Sequence, residues 1–430
     1  MRLTHSSRAL LLSSALGLAA RESDAQSSSP IAAERVTLRE VFDSVRSNNP
    51  LLGAANAHVR AARGDLSSAR TWSNPVVNFE SQQMSEQGHG LPSQRETMTT
   101  AMLPLETFYQ RGPRIQRAQA LIRASEADVL TQRQQVALEA AGTFYEVALA
   151  QVNVSATRSL AQWFDTVVTY NSLRVREGVT AEADLIRSEL ERDHVLNELA
   201  MAESELARAE ADLQTFVRVR QEPAGVQVEV DSLPLDTSRT LTTVMRPEVE
   251  AARQRVVASE AAAAGEKRMF LRELGAMVGT KTMGGSTSLV TGFTVPFPLL
   301  DQNRGSISAA RAERDAAKFD LEFEQRRADA ARSGAERAAR ILSQRVAAFG
   351  SGQAGYLARA EEARRIALAA YREGGATLLQ VIDAARAWRE ARDSYFETLF
   401  AQHRSVIRLL AAHGVDVLDA WPGSRPGVSQ

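Results

Sequence analysis

The chain has 430 residues, 44% hydrophobic but only 6% aromatic, with 24% charged and a formal net charge of -1. Long tracts of alanine, glutamate and arginine fit long helices better than a bulky globular core, and the balanced charge offers no polybasic face for nucleic acid. The absence of cysteine excludes disulfides, thiolate metal sites and a lipid-modified N-terminal cysteine.

Arg2, His5 and Arg8 precede an apolar run over residues 9–20, and Ser23-Asp24-Ala25 offers small residues where a signal peptidase reads. A cleaved secretory signal over residues 1–25 is expected; Arg2, Arg8 and Arg21 leave with Glu22 and Asp24, so the mature charge is -2. That run is too short to cross a bilayer, and no later segment reads as a transmembrane helix, so residence in a membrane would require a β-barrel.

A helical pattern covers residues 36–72, started by a Thr37/Glu40 capping box and interrupted at Asn48-Asn49-Pro50. PVVNFESQQ (75–83) then alternates Val77 and Phe79 with Asn78, Glu80 and Gln82, and ETMTTAMLPL (96–105) places Met98 and Met102 on one side. Both have the length of tilted membrane strands, with SEQGHGLPSQ as the loop between them, although a hairpin on a soluble protein reads the same way. Beyond Gly112-Pro113 a helical pattern runs to Glu177, about 100 Å at 1.5 Å per residue, followed after Gly178 by a second helix over 181–217 of about 55 Å. EPAGVQVEVDSLPLD lies in an irregular connector over 221–240.

The plan then repeats. A helix is expected over 241–269, strands over 271–278 and 287–295 around a loop at 281–286, and a long helix over 306–373 loosened by Gly350, Gly352 and Gly355. A last helix covers 378–413, ahead of a disordered tail over 416–430. RVREGVTAEADLIRSE (174–189) aligns without a gap on AYREGGATLLQVIDAA (370–385), so a tandem duplication is the simplest account. The repeats are assigned to 26–220 and 241–415. Each is a bar with a strand hairpin at one end and a glycine tip at the other. AMLPLETFYQRGPRI and VPFPLLDQNRGSI are the hinges between strands and tube, where Gly112 and Gly305 are expected to free the backbone before the helix begins. Four strands cannot close a membrane barrel, whereas three copies supply twelve.

The signal, VTLREVFDSVRSNNPLLGAANAHVRAA, the PFPLLDQNRGSI hinge, the MRPEVEAARQ restart and the two REG tips together resemble the TolC-like outer-membrane efflux proteins, over about 36–415. The ducts of heavy-metal efflux systems are the nearest subgroup in general appearance. The resemblance implies a mainly α fold with a small β part, two tandem repeats, and a homotrimer with a 12-stranded barrel on a long helical periplasmic tube. It implies an outer-membrane, non-lipoprotein exit duct in contact with lipid, a periplasmic adaptor, and an inner-membrane pump of the resistance-nodulation-division type. The adaptor would meet Gly178, Val179 and Thr180 in the first repeat and Gly374, Gly375 and Ala376 in the second, unless these residues only end helices. The periplasmic entrance would be closed at Asp383, at Gln380 where the family carries a second acid, and by Tyr371, with Asp184 the equivalent position in the first repeat. A solvated acid and a packed tyrosine are the plainer alternative. The loss of the second acid implies weaker cation selectivity than a double ring would impose.

His5, His58, His89, His194, His403 and His413 form no ligand pair at helical spacing, so no metal site is expected. No phosphate loop or nucleophile elbow occurs, and neither a cofactor nor an enzymatic activity is expected. The competing reading is a periplasmic adaptor or coiled-coil scaffold, which would carry one helical hairpin between two halves of a small β-domain.

Overall fold

The computed structural model describes residues 35–84, 94–105, 107–217, 227–229, 244–269, 274–350 and 355–421. The expected signal at 1–25, the loop residues 85–93, most of the connector and residues 422–430 lie outside them. Each repeat has the expected order of short helix, strand hairpin, long helix and shorter return helix.

In the first repeat, β1 (Arg35–Thr37) leads into α1 (Leu38–Asn48), whose start is the expected capping box between Thr37 and Glu40. Asn49 caps α2 (Pro50–Arg70), with proline at its first turn where no donor is needed. After β2 (Val76–Met84) and β3 (Gln94–Pro104), α3 (Thr107–Arg176) runs for 70 residues and α4 (Glu182–Leu213) returns. The start of α3 corrects the expectation that the helix waits for Gly112-Pro113. Proline at 113 cannot bond the Tyr109 carbonyl, but the Arg268 guanidinium donates to that oxygen at 3.2 Å, so the helix passes through.

In the second repeat, α5 (Pro247–Arg268) is followed by β5 (Gly275–Met283), β6 (Ser286–Thr294), α6 (Arg304–Phe349), α7 (Tyr356–Arg372) and α8 (Leu378–Ala412). The strand expected over 271–278 with a loop at 281–286 is corrected to β5 and a two-residue turn. Gly284 and Gly285 hold φ of 57° and 85°, the left-handed pair that a tight hairpin turn requires. The helix expected over 306–373 with a loosened middle divides fully at Gly350 (φ 68°), where Phe349 stacks on Tyr356 with ring centres 5.0 Å apart. At the second hinge it is Asn303, not Gly305, that takes the left-handed conformation (φ 56°). Its amide donates to the Glu266 backbone oxygen at 2.9 Å and to its carboxylate at 3.0 Å, offsetting the strain. Gly305 and Gly112 already lie inside α6 and α3.

The four long strands form one antiparallel sheet in the order β2-β3-β5-β6, so the two repeats are joined through β3 and β5. Within the connector, β4 (Gln227–Glu229) pairs in parallel with β1, a correction to the wholly irregular expectation. Val228 anchors β4 to α3 through the Gln151 side chain at 3.2 Å.

Two apolar clusters hold the helices. The central one joins Val41, Phe42 and Val45 of α1 to Val136 and Phe144 of α3 and Ile407 and Leu410 of α8. It also takes in α9 (Val417–Ala420) and Trp421, which meets Phe42 edge-on at 5.5 Å. The tail expected to be disordered from 416 is therefore ordered through Trp421, because Val417 and Leu418 are fully buried and Arg133 clamps Asp416 at 2.7 Å. The second cluster lies near the glycine tips and contains Leu160, Phe164, Val167, Val381, Ile382 and Trp388. Among the described residues, no helix is long and apolar enough to cross a membrane.

Candidate functional site

The two glycine tips are built alike. In the first, Gly178 N–H donates to Val175 O at 3.0 Å and Val179 N–H to Arg174 O at 2.9 Å; in the second, Gly374 N–H donates to Tyr371 O at 3.1 Å and Gly375 N–H to Ala370 O at 2.7 Å. Both are Schellman turns, with Gly178 at φ 71° and Gly374 at φ 78° satisfying carbonyls that the helix end leaves free. Both glycines are exposed, and Val179 shows 60% of its surface; Thr180 and Ala376 are half-buried. The tips thus present backbone and small side chains outward.

Just inside the tips the repeats are locked together. Tyr371 at the end of α7 is buried and donates its hydroxyl to Asn171 Oδ1 of α3 at 2.7 Å. Tyr170 of α3 donates to the Arg372 backbone oxygen at 3.0 Å, and the two tyrosine rings meet at 5.7 Å. Burial, and then the nearby Asp184 carboxylate, push the Tyr371 hydroxyl above the ordinary phenol value, so it stays a donor. Asn171 is fully buried and its Nδ2 finds no acceptor among the described residues. Of the sequence candidates, Tyr371 therefore bridges the repeats, with Asp184 near enough for its charge to be felt there.

The other two do not join this lock. Gln380 turns back on its own helix, where its Oε1 accepts from Thr377 N–H at 2.9 Å in a capping box that starts α8. Asp383, one turn further on, is exposed beside the buried pair Val381 and Ile382. Asn171 and Tyr170 are absent from the sequence candidates. The legible signal was the apolar stripe Leu160, Phe164, Val167, whose four-and-three spacing places the next inward position at Asn171, a polar residue in core register.

The sheet has two chemically distinct faces. Paired positions Val77 with Ala101, Val278 with Thr291 and Ala276 with Phe293 share one face with Phe79 and Leu289. Phe79, Leu289 and Phe293 are each more than 70% exposed, an apolar surface that no described residue covers. The opposite face carries Asn78, Glu80, Gln82, Glu96 and Lys281, with Lys281 and Glu96 ion-paired. It also carries Met98, Met102 and Met277.

Among the described residues no group of histidine and carboxylate side chains could hold a metal ion. His403 sits in the central cluster 3.2 Å from the Tyr145 hydroxyl, and burial lowers its pKa to about 4, leaving it neutral.

The sequence profile of the outer membrane efflux protein family matches residues 41–217. The nickel-cobalt-cadmium resistance protein NccC of Alcaligenes xylosoxydans xylosoxydans is 28% identical over 297 residues, 66% of this chain and 66% of its own length. The cobalt-zinc-cadmium resistance protein CzcC of Cupriavidus metallidurans is 24% identical over 384 residues, 86% of this chain and 87% of its own. In structure, the CmeC outer membrane channel of Campylobacter jejuni superposes with a TM-score of 0.72 at 14% identity, covering 88% of this chain and 85% of that one.

Proposed function

We propose that the chain is an outer-membrane efflux channel rather than an enzyme, a reading supported by the efflux-protein profile over residues 41–217 and by the channel fold. Three copies close a 12-stranded barrel by pairing the free edges of β2 and β6, with the helices continuing below as a periplasmic tube. The observation that carries this reading is the sheet itself. Four strands with two unpaired edges, one uncovered apolar face and one polar face make a third of a membrane barrel, with lipid outside and water within.

The tips at Gly178, Val179, Thr180, Gly374, Gly375 and Ala376 dock on a periplasmic adaptor, since small residues and exposed backbone permit close approach. Tyr371 holds α7 to α3 in the closed state, and adaptor docking separates them. Asp383 lines the entrance as a single acidic ring, while Gln380 serves the helix start, so selection for cations is modest. Energy comes from an inner-membrane pump of the resistance-nodulation-division type. The cargo is divalent transition-metal cations, a reading supported by the relatives named for nickel, cobalt, cadmium and zinc.

Growth of a strain lacking the protein across gradients of zinc, cobalt and nickel, beside hydrophobic antibiotics and detergents, tests the cargo. Sensitivity to metals alone, restored by the intact gene, is the expected result. Sensitivity to drugs with unchanged metal tolerance would keep the channel and discard the metals.

A further inference from the structure

α8 divides its sides between two environments. Phe400, Ile407 and Leu410 enter the central cluster, whereas Ala401, Arg404 and Arg408 line a cleft of about 560 Å3 between α8 and α6. Ala335 and Ala338 of α6 and Arg246, just ahead of α5, also line it. The cleft is apolar inside and carries three guanidinium groups.

Those charges are incompletely answered. Arg404 and Arg408 have no hydrogen-bond or ion-pair partner among the described residues. Arg246 pairs with Glu248 at 2.9 Å, yet its Nε is buried without an acceptor. Glu139 and Glu146 line a neighbouring cleft on the α3 side of Arg404 and Arg408, but neither forms an ion pair with them. A buried donor left unsatisfied is costly, and an anion with an apolar body would satisfy it while pairing with the half-buried Arg404 and the exposed Arg408. The volume lies in the range of small-ligand sites, which are mostly apolar with a few placed polar groups.

We propose that this cleft binds a small amphiphilic anion, an aliphatic chain ending in a carboxylate or sulfate, with the chain on the α6 alanines and the head group at Arg404 and Arg408. The site does not depend on which cargo the channel carries. Any positively charged amphiphile is rejected by the same three arginines.

The test is equilibrium binding of radiolabelled decanoate to the assembled protein in zwitterionic lipid nanodiscs, with decanol and decylammonium as matched controls. Saturable binding of decanoate, absent for both controls, is expected. Arg404→Gln with Arg408→Gln should weaken it at least tenfold while assembled mass is retained. Ala338→Trp fills the cleft but keeps every charge, and it should abolish binding, so a loss caused by misfolding of the charge variant is told apart. Equal uptake of decanoate and decanol, or uptake unchanged in both variants, overturns the proposal. So does a map of the assembly in which an acidic side chain of a second copy occupies the arginines.

Discussion

The lock beside the tips has one buried side-chain pair, Tyr371 with Asn171, beside the Tyr170 bond to the Arg372 carbonyl. Tyr371→Phe would leave Asn171 Oδ1 buried without a donor, beside an Nδ2 that already lacks an acceptor, at a cost of about 1–3 kcal/mol. The expected outcome is a channel that opens more often in planar lipid bilayers, and cells more sensitive to large antibiotics that the closed entrance excludes. Open probability equal to the parent's would show that the bond holds nothing shut. Tyr371 was legible through the resemblance to the efflux family, but its acceptor lies 200 residues away and no local pattern links them. Gln380 shows the converse. Its role as a cap was available in the spacing Thr377 to Gln380, the same signature read correctly at Thr37 and Glu40.

At the scale of elements, glycines carry different burdens. A side chain at Gly279 in β5 would place its Cβ 2.1 Å from Thr99 O and 2.7 Å from Thr100 Cα, both backbone atoms of the strand that joins the two repeats. Gly279→Ala should therefore break the β3–β5 ladder and prevent assembly, read as loss of the heat-resistant oligomer on gels. Gly64→Ala in α2 meets nothing within 4 Å and should stabilise the helix by about 0.5–1 kcal/mol. Normal assembly of Gly279→Ala would contradict this packing. Element types followed from periodicity almost throughout, because long alanine-rich runs and alternating threonine-rich runs are unambiguous. Their ends did not. The helix through Pro113, the break at Gly350 and the turn at Gly284 each depend on a neighbour or on backbone torsions that composition does not rank.

For the whole molecule, the proposed barrel requires three chains. Phe79, Leu289 and Phe293 face outward on one side of a sheet whose outer strands β2 and β6 each pair on one side only among the described residues, and no described residue covers them. Light scattering of the protein in detergent is expected to give the mass of three chains. Cysteines introduced singly into β2 and β6, in a chain that has none of its own, should cross-link between copies. A monodisperse monomer would remove the barrel.

The amino-acid sequence by itself determined the duplicated plan, the four strands, the long helices and the two glycine tips, since each is written in local spacing and repeats within one short stretch. Tertiary structure alone decided which residues meet. It joined β3 to β5, brought Asn171 to Tyr371, ordered the chain through Trp421 and gathered Arg246, Arg404 and Arg408 at one cleft. The reason is that helices of this length carry several apolar and polar stripes at once, and only the packing of neighbours selects which stripe is buried.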